Sequence, residues 1–187
     1  MAMLIHAPLR EQEIAELRAG DAVLLSGIIY TGRDAAHKRL CALLQAGEAL
    51  PFDVSNQVIY YAGPCPAKPG DAIGSCGPTT SYRMDAYSPM LCDLGLIGMI
   101  GKGPRSAEVC DAIGRNKGVY FAATGGAGAL IARSVKSAEV IAFEDLGTEA
   151  IRKLEVENMP LIVAIDAHGG NLYQTGPDAY KLKEKDE

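Results

Sequence analysis

Residues 21–47, DAVLLSGIIYTGRDAAHKRLCALLQAG, decide the fold. The first ten, Asp21–Tyr30, are apolar and rich in β-branched side chains, the pattern of a buried strand. Thr31-Gly-Arg-Asp34 follows with the S/T-x-x-D/E spacing of a capping box, so a helix is expected over Ala35–Ala46, ending at Gly47. A buried strand that passes directly into a helix is the opening of a strand–helix–strand unit. Units of that kind build parallel sheets.

The pattern continues on the C-terminal side. Gln57–Ala62 reads as a second short strand, followed by a long stretch dense in Gly and Pro from Gly63 to Thr80. A helix around Met84–Leu94, a strand Leu96–Ile100, a helix Ala107–Ile113 and a strand Val119–Ala123 come next. Gly125–Gly128 is a turn leading into a helix near Ala129–Val135. Val140–Phe143 and Leu161–Ile165 are the last strands, with helical Thr148–Leu154 between them, and Lys181–Glu187 is a charged tail expected to fray. The expectation is one α/β domain over residues 1–187 with a largely parallel central sheet. No Pro/Ser linker divides the chain and no internal repeat stands out.

Bulk properties narrow the function. Formal charge is −5, with 18 Lys+Arg against 23 Asp+Glu, which argues against a nucleic-acid binder because that role needs a basic stripe. The start MAMLIHAPLREQE lacks the basic and apolar blocks of an export signal. The weakly polar run Val119–Ala132 is too short and Gly-rich to span a bilayer. A soluble cytoplasmic protein is expected. The five cysteines, Cys41, Cys65, Cys76, Cys92 and Cys110, are odd in number and include no C-x-x-C pair. That favours reduced thiols, mostly packed in the interior, and offers a poor pattern for a metal or cluster held by this chain.

Chemistry concentrates in three segments. In Gly74-Ser-Cys-Gly-Pro-Thr-Thr-Ser-Tyr-Arg-Met-Asp85, Gly and Pro fix the backbone just before two adjacent hydroxyls, Thr79 and Thr80, with Arg83 on the following turn. Hydroxyls, free N–H groups and a guanidinium at one point suit a carboxylate or phosphate. The same residues also make an ordinary helix cap with surface Arg and Asp neighbours. Arg33-Asp-Ala-Ala-His37-Lys-Arg39 puts Arg33 beyond the carboxyl end of the first strand, where ligands collect in open α/β sheets. Asp34 and Lys38 are spaced for a helix-surface ion pair, and His37 is left open between proton carrier and packed side chain. Gly101-Lys102-Gly103 sets an ammonium among glycines at a strand end, yet its spacing fails the Walker A pattern; Thr124–Gly128 likewise fails the dinucleotide fingerprint. Three cations, Arg33, Arg83 and Lys102, with a hydroxyl pair are the set a dianionic substrate needs, since Arg grips carboxylates bidentately and Lys adds a point charge. Spacing alone leaves scattered surface charge as the other reading.

Three stretches, IYTGRDAAHKR (29–39), GSCGPTTSYRMD (74–85) and IGKG (100–103), resemble the β subunit, or C-terminal domain, of class I fumarases and L-tartrate dehydratases. EDLGTEAI (144–151) and LIVAIDAH (161–168) are similar to the same family, so the resemblance runs along nearly the whole chain. It implies a swivelling β/β/α domain with a second small sheet, and reversible hydration–dehydration of a small dicarboxylate, foremost fumarate/(S)-malate. It also implies a [4Fe-4S] cluster held by cysteines of the other domain or subunit, so that this chain binds no metal itself. By the same resemblance Thr79 matches the catalytic base, Arg33, Arg83 and Lys102 match residues that hold the substrate, and Thr80 adjoins the base and supports it locally. The implied partner is a cluster-bearing α subunit within a larger hetero-oligomer. L-Tartrate or mesaconate dehydration is the alternative within the same machinery. A non-catalytic binding or interaction module that has kept the fold is the alternative from another class.

Overall fold

The structure is a computed structural model and describes residues 2–181. Its strands are β1 (Met3–Ala7), β2 (Ala22–Thr31), β3 (Val58–Tyr60), β4 (Gly98–Gly101), β5 (Val119–Ala122), β6 (Val135–Ala142) and β7 (Ile151–Ile165). The helices are α1 (Glu11–Glu16), α2 (Asp34–Gln45), α3 (Ser88–Asp93), α4 (Ala107–Arg115), α5 (Gly128–Ala132) and α6 (Leu172–Tyr180), with 3-10 segments at Ser81–Met84 and Glu144–Glu149.

Strands β1 to β5 run parallel in sequence order, joined edge to edge. The long β7 is antiparallel to β5 on one side and to β2 on the other, which closes the sheet into a small barrel; β6 adds to β7. The α/β class and the largely parallel sheet are as expected. The implied second sheet takes a different form: β2 and β7 are 10 and 15 residues long, enough to pair with strands on both layers, so all seven strands share one hydrogen-bonded sheet.

Side chains alternate across the strands, as a period of two requires. Val58 and Tyr60, Ile100, and Val119 and Phe121 join a cluster with Leu25, Leu154 and Val163 on the inner face. Their neighbours Ile59, Met99 and Tyr120 turn outward against Leu40 of α2, Leu91 of α3 and Val109 and Ile113 of α4. At Gly27 the backbone has φ +106° and a Cβ would lie 2.2 Å from the Ala7 carbonyl oxygen, so only glycine lets β2 pass β1 at its bulge.

Several local expectations change. Thr31 does not cap α2; the N-cap is Arg33, with no side-chain cap bond. The Thr31 hydroxyl instead donates to the Ala150 carbonyl and accepts from the Arg152 N–H, stitching β2 to β7. The expected helix Thr148–Leu154 is a 3-10 turn that ends at Glu149, after which β7 begins at Ile151. The helix expected from Met84 to Leu94 is broken into the 3-10 turn Ser81–Met84 and α3. Asp34 pairs with Arg83 rather than with Lys38. Of the tail expected to fray, residues 182–187 lie outside the described residues. Among the described residues, no helix is long and apolar enough to cross a membrane.

Candidate active site

Register gathers the site. Thr31 of β2 pairs with Tyr60 of β3, Tyr60 with Ile100 of β4, and Ile100 with Phe121 of β5, one row across four parallel strands. Their carboxyl ends therefore stop at one level, and the residues just beyond that row become neighbours. Arg33 lies two residues past Thr31, and Lys102 two past Ile100. This is the edge at which ligands gather on parallel sheets.

The Gly/Pro-rich segment crosses these strand ends. The Thr79 N–H donates to the Tyr61 carbonyl at 2.6 Å, Thr80 forms an isolated parallel bridge with Lys102, and the Ser81 N–H donates to the Lys102 carbonyl at 2.9 Å. Thr79 and Thr80 are half-buried. Lys102 is exposed, with its side chain running over Gly125 in the turn after β5. The Arg33 side chain packs over Gly63, where a Cβ would lie 3.1 Å from both Cδ and Nη1. Close backbone approach here requires glycine.

Arg33 and Arg83 meet through acids. Arg83 Nη2 lies 2.8 Å from Asp34 Oδ2, Arg33 Nε 3.9 Å from Asp34 Oδ1, and Arg33 Nη2 3.1 Å from Glu149 Oε1. The rim thus carries three cations against two carboxylates, which orient the guanidiniums while reducing their combined field. Arg33 Nε, Asp34 Oδ1 and Glu149 Oε2 are buried and have no hydrogen-bond partner among the described residues. A buried polar group left unpaired costs about 1–3 kcal/mol.

His37 is a packed side chain. It is fully buried, its Nδ1 donates to the Arg33 carbonyl at 2.9 Å, and its ring meets that of Tyr61 edge-on. Burial pushes its pKa down from 6.5 to about 4, with the Arg33 carbonyl bond opposing and the Arg105 charge adding to the shift. The unfolded chain then takes up a proton as pH falls through 6.5, whereas the folded chain resists until about 4. Stability is unaffected by this group above pH 6.5 and falls as pH drops from 6.5 to about 4, by roughly 1.4 kcal/mol per pH unit. Urea unfolding from pH 7 to 4 is expected to show this slope in the wild type and a shallower one in His37→Gln. Parallel slopes would contradict the buried neutral imidazole.

Sequence reading missed the support beneath the site. The Arg105 side chain is 0% exposed. Its Nε donates to Asp85 Oδ1 at 2.7 Å and its Nη2 to Ser88 Oγ at 2.8 Å, while the guanidinium lies 5.3 Å and 5.0 Å from the ring centroids of Tyr61 and Tyr120. Burial opposes the Arg105 charge; the Asp85 carboxylate offsets it, the Tyr61 ring face adds a cation–π contact, and the group stays protonated. The other Asp85 oxygen accepts from the Ser106 N–H at the start of α4. Arg105 follows the Lys102 glycines by two residues, and no local periodicity marks it as buried. Glu149, the acidic partner of Arg33, is likewise not marked by any local signal in EDLGTEAI (144–151).

The cysteines do not form a ligand set. Cys41 in α2, Cys92 in α3 and Cys76 in the Gly/Pro-rich segment are buried, Cys65 is exposed and Cys110 half-buried. Burial raises Cys76 to about 12 and Cys92 to about 11, so both are neutral thiols packed in the interior. Among the described residues, no three His, Cys, Asp or Glu side chains converge. The described residues do not fit an iron–sulfur cluster.

A closed α/β sheet with cations and hydroxyls at its carboxyl edge defines a domain suited to small anions. The chain belongs to the Fumarase C-terminus family, whose model matches residues 2–176. It is 41% identical over 172 residues to a Methanocaldococcus jannaschii protein provisionally named L(+)-tartrate dehydratase subunit beta, covering 89% of this chain and 88% of that one. It is 38% identical over 174 residues to the anaerobic class I fumarate hydratase of Escherichia coli K12, covering 91% of this chain but 32% of the relative. Fumarate hydratase 2 of Leishmania major is 37% identical over 164 residues, 87% of this chain and 29% of the relative. The chain thus spans about a third of the length of its fumarate hydratase relatives.

Proposed function

We propose that this chain is the β subunit of a hydro-lyase that adds water to, or removes it from, a small dicarboxylate, and that it acts as one domain. The observation that carries the reading is the shared register of four strand ends, which brings Arg33, Lys102 and the Thr79–Thr80 turn to one edge with Arg83 beside them. In this reading Arg33 and Arg83 bind substrate carboxylates and Lys102 adds a third positive charge. Removing hydrogen from carbon beside a carboxylate loads charge onto that carboxylate, and fixed cations offset it in the transition state. Thr79 accepts the proton, with Thr80 fixing the turn beside it. A threonine hydroxyl is a weak base at neutral pH, so either neighbouring cations favour its deprotonated form or Thr79 itself passes the proton onward.

The [4Fe-4S] cluster associated with such enzymes is assigned in this reading to an α subunit, within a larger hetero-oligomer. Fumarate/(S)-malate is the first substrate reading, supported by the fumarate hydratase relatives. L-Tartrate is the second, supported by the archaeal relative that this chain matches over most of its length. The test is to reconstitute this chain with a cluster-bearing partner and assay both substrates. Turnover of at least one by the pair, with none by the purified chain, is expected. An active isolated chain, or a loaded pair inert toward both, would refute the assignment.

A further inference from the structure

Tyr120 joins the two segments that carry the candidate residues. It stands on β5 with its side chain turned outward and is fully buried. Its hydroxyl donates to the Gly103 carbonyl at 2.9 Å and lies 2.8 Å from Ser81 Oγ. A carbonyl only accepts, so the single phenol proton goes to Gly103 and the Ser81 hydroxyl donates to the phenol oxygen. Gly103 follows Lys102, and Ser81 follows Thr80. One oxygen therefore ties both segments together directly behind the residues assigned to substrate.

The surroundings leave this bridge little freedom. A Cβ at Gly101 would lie 2.0 Å from Ser81 Oγ, so the absence of that atom lets the serine reach the phenol. From behind, the Arg105 guanidinium packs on the Tyr120 ring and is itself fixed by Asp85 and Ser88. The phenol proton is not easily lost either, because burial raises the group well above its ordinary range. Tyr120 has no exposed surface from which to touch a substrate.

We propose that Tyr120 is a positioning residue: its hydroxyl holds the Thr79–Thr80 turn in register with Lys102, so that base and cation address one substrate together. The inference rests on the hydro-lyase reading above and deepens it. Catalytic groups must be held to within about 0.5 Å of productive geometry. Loss of the bridge therefore affects turnover more than folding, since Tyr120→Phe keeps the ring and its packing.

The test uses the cluster-loaded assembly with (S)-malate or L-tartrate, whichever the wild type turns over. Tyr120→Phe is expected to lower kcat by about 10- to 100-fold, the scale for a displaced catalytic group. KM should stay within about threefold, the pattern of an interaction made in the transition state. Ser81→Ala should do the same, and the double variant should be no worse than the poorer single one, because both remove one bridge. Thermal unfolding, run in parallel, confirms that the variants are folded. If Tyr120→Phe does not fold, Ser81→Ala alone must show the kcat loss. Wild-type kcat in either folded variant, a change in KM alone, or additive losses would overturn the proposal. A wild-type assembly inert toward both substrates would overturn the parent reading and this inference with it.

Discussion

Replacing Thr79 by alanine in the assembled enzyme is expected to lower kcat by about 10²–10⁴-fold, the usual contribution of a positioned acid or base, while KM changes little. The turn itself should survive, because the bonds that hold it, from the Thr79 N–H to Tyr61, from the Ser81 N–H to Lys102 and from the Ser81 hydroxyl to Tyr120, do not involve the deleted hydroxyl. Arg33 and Arg83 keep their acidic partners as well, so carboxylate binding has no reason to weaken. Thr79→Ser restores the oxygen and should recover most of the lost rate. Steady-state kinetics on the three proteins decides the matter. A Thr79→Ala enzyme with near-normal kcat would remove Thr79 from the proton transfer.

The second large effect is on stability. Asp85→Ala strips the carboxylate from Arg105, whose side chain has no exposed surface, and leaves the Ser106 N–H without its acceptor. Breaking a buried ion pair by removing one partner costs about 3–5 kcal/mol. In a chain of this size that corresponds to a fall in Tm on the order of 10 °C. Urea denaturation measures the loss directly. Replacing Arg105 by Met in the same background should recover part of it, since no uncompensated charge is then buried. A loss below about 1 kcal/mol would mean that Arg105 reaches water and is not the base of the site.

How much of this was legible in the sequence depended on whether the deciding contacts were local. Asp21–Tyr30 and the helix after it were legible because a continuous apolar run and a helical period each identify their own element. The helix expected over Thr148–Leu154 fails in its second half, where Arg152, Lys153 and Leu154 are good helix formers by propensity. In the fold, pairing with β2 and β6 on both edges overrides that propensity, and Leu154 and Val156 alternate inward as a strand requires. At the site, Arg33, Thr79, Arg83 and Lys102 were nameable because Gly, Pro and hydroxyl residues crowd around them. The Asp85–Arg105 pair and the Glu149–Arg33 contact were not. Those partners are 20 and 116 residues apart; the first pair meets at the β3–β4 connection and the second where β7 pairs with β2.

Arg33, Arg83, Lys102 and Thr79 are proposed to serve one small dicarboxylate at the carboxyl edge of the parallel strands. A crystal structure of the cluster-loaded assembly with a bound dicarboxylate tests this most directly. The prediction is one ligand whose carboxylates accept from Arg33 and Arg83, with Lys102 nearby and the Thr79 oxygen facing a substrate carbon. A ligand bound elsewhere on this chain, or a Thr79 hydroxyl turned away from it, would contradict the account.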